Sequence, residues 1–392
     1  MKILSVNAGS SSLKFTLFEL PEKKELINGT FEKIGIGNSF YTIKINGQKI
    51  KREVDLKDHS IAVKYLMEEL ISNKIIASLD EIDGIGHRIV QGGALYKETV
   101  LVNDKVIDDI ENLSDLAPLH NKAHVMGLKA FKEALPNTPM TVVFDTAFHQ
   151  TMIPEAYLYP VPYEWYEKYK VRKYGFHGTS HRYIYKNISE YLKKDLKVIS
   201  CHLGNGSSVT AIDKGKVIDT SMGLTPLAGV MMGSRCGDID PSIIPFIMKK
   251  ENLSPDEMNN ILNKKSGFLG ISNISSDARD IIDNASNGNE LCSLVLDMNA
   301  RRVANYIAMY NNLLEGADVI CFTAGIGENS RPIRKLVIER IKSLGVKLDN
   351  DANENTFGIF NKISTDDSKI PVYVIPTNEE LMIAIDTYNL IK

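Results

Sequence analysis

Several stretches of the chain set charged side chains beside glycines in a way that packing does not explain. "GHRIVQGG" puts Arg88 at the end of an apolar run, just before Gly92-Gly93, and "MMGSRCGDIDP" (231–241) puts Arg235 in a glycine loop with Asp238 and Asp240. A lone arginine is usually a solvated salt-bridge partner. One pinned between a strand and a double glycine is a better anion ligand, because its planar fork matches a carboxylate or a phosphate. "VVFDTAFHQ" places Asp145 after a β-branched run, at the carboxyl end of a strand, where α/β folds put catalytic groups; a structural cap is the rival reading. His177 and His181 stand four apart in "YGFHGTSHRY", as do His120 and His124. With H-E-x-x-H absent and Gly178 arguing against a regular helix, hydrogen-bonding roles are expected of them rather than a transition metal.

Glycine turns follow several apolar runs. "VNAGSSSLKF" (6–15) bends around three serines and returns through Lys14, and Gly84-Ile-Gly86, Gly204-Asn-Gly206 and Gly325-Ile-Gly327 repeat the G-x-G spacing. None completes G-x-G-x-x-G, since Ile89, Val209 and Ser330 occupy the last place, so the signal for a dinucleotide site is weak. The P-loop pattern, the protein-kinase catalytic loop and G-x-S-x-G are missing too. What remains is a turn offering backbone N–H groups, hydroxyls and a lysine to an anion. The serines are expected to face phosphate oxygens.

The elements that must position these groups alternate. "ILSVNAGSSSLKFTL" (3–17) and "VISCHLGNGSSVTAI" (198–212) share a strand–turn–strand pattern about half a chain apart, each followed by a third extended stretch. A fold built twice is one reading, and two unrelated hairpins the other. Helical spacing marks 60–75, 120–135, 291–314 and 331–343, and strands are expected at 82–90, 140–148, 317–325 and 371–376. Thr377 stands three residues before Glu380, a capping-box spacing for the last helix. Strands alternating with helices indicate an α/β fold, and the absence of a low-complexity linker suggests domains that touch across a cleft. The 392 residues imply roughly two to three domains. The net charge of −3 favours neither nucleic acid nor a membrane as partner, and four dispersed cysteines suit a reduced, cytoplasmic setting.

Eight of these blocks in order ("VNAGSSSLKF", "GHRIVQGG", "FDTAFH", "YGFHGTSH", "HLGNGSSV", "GSRCGDIDP", "FTAGIGEN" and "PTNEEL") closely resemble the acetate kinase family, from residue 3 to the last helix. The resemblance implies duplicated ribonuclease H-like domains with an active-site cleft between them, the fold shared with sugar kinases, actin and heat-shock chaperone ATPases. It implies residues 1–147 plus a C-terminal helix at about 381–392 as one domain and 148–380 as the other. The implied reaction is ATP + acetate ⇌ ADP + acetyl phosphate with Mg²⁺ (Mn²⁺ as an alternative), by a homodimer.

Position by position, Asn7 and Glu379 resemble the metal-site residues, and Ser10, Ser12 and Lys14 the phosphate-facing part of the first hairpin. Arg88, Asp145, His177 and Arg235 are similar to the catalytic set, Arg88 also binding the acetate carboxylate. His202, Leu203, Gly204, Asn205 and Gly206 resemble the second phosphate loop. Asp277, Ala278 and Arg279, with Gly325, Ile326, Gly327, Glu328 and Asn329, resemble the nucleoside-binding segments. Val90, Leu119 and Pro226 are similar to the wall around the acetate methyl. An ionised carboxylate nucleophile needs no general base, so Asp145 is expected to orient the magnesium water shell or the phosphoryl group rather than to move a proton. Two positions depart from the family: Gln91 where histidine is usual, and Ala278 where a larger apolar residue is commoner. The rival readings are propionate or butyrate kinase, a sugar kinase, and a non-enzymatic ATP-driven binding protein of the same fold.

Overall fold

The computed structural model describes residues 1–117 and 120–392, so Leu119 lies outside the described residues. The chain divides into two units, Met1–Phe148 with Asn378–Lys392, and His149–Thr377. The second unit ends before residue 380, and Glu379 and Glu380 go with the first.

The first unit is built on an eight-stranded sheet of β1 (Lys2–Ala8), β2 (Ser12–Glu19), β3 (Lys24–Glu32), β4 (Phe40–Ile45), β5 (Gln48–Glu53), β6 (Ile82–Ile89), β7 (Val100–Leu101) and β8 (Met140–Phe144), in the order β5-β4-β3-β2-β1-β6-β8-β7. The second holds a six-stranded sheet of β9 (Lys197–Leu203), β10 (Ser207–Asp213), β11 (Lys216–Thr220), β12 (Val319–Thr323), β13 (Asn361–Lys362) and β14 (Val372–Val374), in the order β11-β10-β9-β12-β14-β13. Each sheet contains the same five-strand unit. Three consecutive antiparallel strands (β1 to β3, β9 to β11) are joined through the first of them to two parallel ones (β6 and β8, β12 and β14). The strand–turn–strand repeat of the sequence is thus the first hairpin of each α/β sheet. The β4–β5 hairpin is an addition whose signal, Asn46-Gly47 with both residues at positive φ, is a tight-turn pair between alternating strands.

The N-terminal end of the last helix differs from the capping-box expectation. The helix Glu379–Ile391 is capped by Asn378, whose side-chain oxygen accepts from the Leu381 N–H at 2.9 Å. Thr377 is unavailable because its hydroxyl lies 2.9 Å from the Ser180 hydroxyl. Gly178 does not prevent a helix either: Gly178–Leu192 is regular, with His177 before it in the left-handed region at φ 57°. Among the described residues no helix is long and apolar enough to cross a membrane.

Strand β6 delivers the chemistry of the first unit. Side chains alternate along a strand, so residues 84, 86 and 88 share a face, and two of the three are glycines. A Cβ at Gly84 would collide with Ile391, and one at Gly86 with Thr387 and Ile383. Both contacts belong to the helix Glu379–Ile391, which lies against this face in antiparallel sense. Its N-terminal Glu379 is thereby brought to Arg88, the next residue on the face. On the other face His87 sets its ring edge-on to Phe131, 5.2 Å between centroids, within the helix Asn121–Ala134.

This docking leaves no room for a Cβ at Gly86 unless Thr387 and Ile383 shift. Gly86→Ala should lower unfolding stability by about 1–3 kcal/mol, the usual cost of overpacking, read as a lower urea midpoint. An unchanged midpoint would show that the helix is not held by this close approach.

Candidate active site

In the first unit the serine hairpin is closed by the Gly9 N–H donating to the Ser12 carbonyl at 2.8 Å. The Ser12 hydroxyl occupies the space a Gly9 Cβ would need, which explains the glycine between small polar residues. Ser10 is exposed at the tip, and Asn7 is half-buried on β1, directly across from Lys14 on β2. The Lys14 ammonium pairs with Glu380, a partner that sequence reasoning missed because only folding brings residues 14 and 380 together.

Arg88 is gripped rather than free. Its Nε and Nη2 donate to the two oxygens of Asp145 at 3.0 and 2.7 Å, a bidentate fork, and Glu379 lies 3.9 Å from Nε. Asp145 is buried at the end of β8, its N–H donating to the Ile89 carbonyl at 2.9 Å. Burial alone would lower the Arg88 pKa, but Asp145 and then Glu379 more than offset it and hold the guanidinium above its ordinary value. Burial also pushes Glu379 up to about 7; Arg88 opposes that rise, while Asp145 and Glu380 add to it. Three carboxylates (Asp145, Glu379, Glu380) thus face two cations (Arg88, Lys14). A surplus carboxylate is the donor chemistry a hard dication asks for. Mg²⁺ keeps several waters and takes one or two carboxylates beside substrate phosphates, which such a surplus could supply; among the described residues no group of three or more His, Cys, Asp or Glu side chains is placed to hold an ion.

The loop after β6 accounts for Gln91. The side chain is buried, and its Oε1 accepts from the Gly93 N–H at 2.9 Å. Its backbone exchanges hydrogen bonds with the Asn121 side chain at 3.3 and 3.1 Å, and the Gly92 N–H donates to the Thr146 hydroxyl at 3.1 Å. The residue next to Asp145 therefore anchors the loop that follows Arg88. Val90 is buried in the same loop.

In the second unit the turn from Leu203 to Ser207 gathers the other candidates. A Cβ on Gly206 would lie 2.9 Å from Arg235 Nη2 and 3.4 Å from His177 Nε2, so both side chains converge on the backbone of this glycine. Arg235 is steered there by its Nη1, which donates to the Pro226 carbonyl at 2.7 Å. It has no carboxylate partner among the described residues, and burial lowers its pKa. Asp238 and Asp240 do not serve it. Asp238 accepts from the Gly229 N–H at 2.8 Å and from the Tyr306 hydroxyl, and Asp240 from the Ser242 N–H at 2.9 Å. The His177 and His202 rings stack at 4.0 Å, and His202 Nδ1 lies 2.9 Å from the Ser180 hydroxyl.

The remaining segments border this turn. Gly233 abuts the Asn205 side chain and, 2.6 Å from its Cβ position, the Ser276 carbonyl. Asp277 caps the helix Ala278–Ser286, accepting from the Arg279 N–H at 2.8 Å and from the Arg279 guanidinium. Ala278 points into the core. Gly325, Ile326, Gly327, Glu328 and Asn329 form a helix, Ala324–Asn329, rather than an open loop, and its Ala324 Cβ sits 3.7 Å from a Cβ placed on Gly204. Glu328 Oε1 accepts from the N–H groups of Ala324 and Thr377 at 2.8 and 3.0 Å.

Comparison with known proteins finds one family over nearly the whole chain: the model of the acetokinase family matches residues 2–385. The acetate kinase of Bacillus cytotoxicus is 53% identical over 392 residues, covering 99% of this chain and 98% of that protein. The crystal structure of Porphyromonas gingivalis acetate kinase superposes with a TM-score of 0.96 at 42% identity, covering 100% of both chains. That of a propionate kinase from Francisella tularensis gives 0.94 at 41% identity, with 99% of both chains covered.

Proposed function

The chain belongs to the acetokinase family, phosphotransferases whose acceptor is a carboxyl group, and on that premise we propose how its residues carry phosphoryl transfer between ATP and acetate. The observation that carries the proposal is Arg235. A half-buried guanidinium without a carboxylate partner among the described residues, aimed with His177 Nε2 over a glycine, is a site suited to an anion. Transferring a phosphoryl group spreads negative charge over its equatorial oxygens, and catalysis consists mainly of positioning and electrostatics. Arg235 and His177 supply donors to that charge, and the N–H groups of His202 to Gly206 cradle nucleotide phosphates. The segments Asp277–Arg279 and Gly325–Asn329 hold the nucleoside, with Asp277 acting through the helix it caps.

Arg88 receives the acetate carboxylate on Nη1, the edge that its fork with Asp145 leaves open. The nucleophile is already ionised near neutral pH, so no group must take its proton. Asp145 accordingly works by fixing the Arg88 plane, rather than as an acid or base. Val90 and Pro226 contribute apolar surface for the methyl group. Ser10, Ser12 and Lys14 present hydroxyls and a cation to phosphate oxygens. Asn7 and Glu379 would hold Mg²⁺ or Mn²⁺, in part through water; the bound ion neutralises phosphate charge. Glu379 must then stay ionised, which a dication favours against the burial that pushes it up to about 7.

A homodimer and a cytoplasmic setting belong to the same reading. Leu291, Leu294, Met309 and Leu313 lie exposed along one face of the helix Glu290–Leu313, apolar surface that a second copy would cover. All four cysteines are free thiols. Sedimentation velocity should give twice the mass of the chain; a monomer at micromolar concentration would remove the dimer.

The reaction is tested by trapping the acyl phosphate with hydroxylamine in the presence of ATP and Mg²⁺, with acetate, propionate, butyrate and glycerol in parallel. Acetate should give the strongest signal and propionate a weaker one, because one methylene changes discrimination by only about 1–3 kcal/mol. A best signal on butyrate would overturn the acceptor, and no hydroxamate from any acid would overturn acyl-phosphate formation.

A further inference from the structure

The roles above leave a chain of buried polar side chains behind His177 unused. Ser200 Oγ on β9 lies 2.8 Å from His181 Nδ1, His181 Nε2 lies 2.7 Å from Ser208 Oγ on β10, and Ser208 Oγ lies 2.9 Å from His177 Nδ1. Ser200, His181 and Ser208 are each 0% exposed. Burial, with the neighbouring His149 and His202 adding, holds His181 well below its ordinary value, so its imidazole is neutral at working pH.

A neutral imidazole carries one N–H and each hydroxyl one proton, so of the possible polarisations all but one leave a buried hydroxyl without an acceptor; if both histidines donated to Ser208, its own O–H would be the one left over. If His177 Nδ1–H donated to Ser208, Ser208 would donate to His181 Nε2 and His181 Nδ1–H to Ser200. The Ser200 hydroxyl would then need a further acceptor, yet among the described residues its side chain bonds only to His181. A buried O–H left without an acceptor costs about 1–3 kcal/mol. In the opposite sense every proton is used. Ser200 donates to His181 Nδ1, His181 Nε2–H to Ser208, and Ser208 to His177 Nδ1. The single proton of neutral His177 must then sit on Nε2, the atom beside Arg235 Nη2 over Gly206.

We propose that Ser200, His181 and Ser208 form a hydrogen-bond chain of fixed direction that locks His177 in the Nε2–H tautomer and aims that N–H at the phosphoryl group being transferred. The proposal rests on the reading of His177 as a donor to that group. No proton travels along the chain, and Ser208 and His181 are positioning residues. The other tautomer would turn a lone pair toward phosphoryl oxygens and replace an attraction with a repulsion. Ser208 adjoins the glycine turn of "GNGSSV", and His181 follows His177 by one helical turn, so the constellation needs both the hairpin and the helix to exist.

The test is long-range proton–nitrogen NMR of the protein carrying ¹⁵N-labelled histidine, with His177 assigned by the signals lost in His177→Gln. The wild type should show His177 as the Nε2–H form, and Ser208→Ala a mixture of both tautomers. In the same variant kcat should fall about 10- to 100-fold, with KM for ATP and for acetate within about twofold, and Ser208→Thr should recover most of the rate. Should Ser208→Ala fail to fold, Ser200→Ala breaks the far end of the chain, and the wild-type spectrum alone still decides the tautomer. An Nδ1–H signal in the wild type, or an unchanged tautomer in Ser208→Ala, overturns the proposal. A shifted tautomer with unchanged kcat supports the chain as the device that sets the tautomer and instead removes His177 from the reacting group, which separates this inference from the reading beneath it.

Discussion

A guanidinium taken out of water must be answered by something, and the fold answers three of them differently. Arg334 is wholly buried and donates to the carbonyls of Gly327, Glu328, Asn353 and Thr356 and to the Asn353 side chain. It is satisfied by the backbone and pins the helix Ala324–Asn329 from behind. Arg88 is answered by carboxylates, two of its nitrogens held by Asp145. Arg235 is given one carbonyl, that of Pro226, and no carboxylate among the described residues. Desolvation of a cation without a counter-ion is unfavourable; Arg172 meets it by lying 3.7 Å over the Tyr157 ring, whereas Arg235 is aimed with His177 at the Gly206 turn. The three arginines thus differ in what answers them: backbone carbonyls for Arg334, a carboxylate fork for Arg88 and a single carbonyl for Arg235.

The same five-strand topology serves both units, but its first hairpin is put to different use in each. On β1–β2 the turn is serine-rich and is followed by Lys14, which Glu380 restrains. On β9–β10 the turn is glycine-rich and lets Arg235 and His177 approach the backbone. Glycine at position 206 is therefore a matter of access, whereas at 84 and 86 it is a matter of helix docking. In both cases a missing Cβ is the structural feature, and in both it sets where a charged group ends up.

Much of this was legible in the chain. The two strand–turn–strand blocks, Arg88 before its double glycine and Asp145 after its β-branched run all declare themselves through local pattern. The reading weakened wherever a tertiary partner overrode a local one. Thr377 has capping-box spacing, yet Ser180 takes its hydroxyl and Asn378 caps instead. Asp238 and Asp240 stand beside Arg235 in sequence but turn to Tyr306 and to their own loop. Gln91 is legible as a departure from the family, but its hold on the Gly93 N–H is not. Glu380 and Ser208 were missed because their partners lie 366 and 31 positions away, 380 less 14 and 208 less 177, beyond any periodicity a sequence displays.

The proposed function stands or falls on Arg235 being kept, without a carboxylate partner among the described residues, for the phosphoryl group in flight. Its direct test is Arg235→Gln, which keeps a polar side chain of similar reach but removes the charge. Nucleotide affinity by calorimetry should stay within about threefold of wild type, while kcat for acyl-hydroxamate formation falls by at least about a hundredfold, the loss expected when a donor acts chiefly on the transition state. A near-wild-type kcat, or a loss confined to nucleotide affinity, would contradict the account.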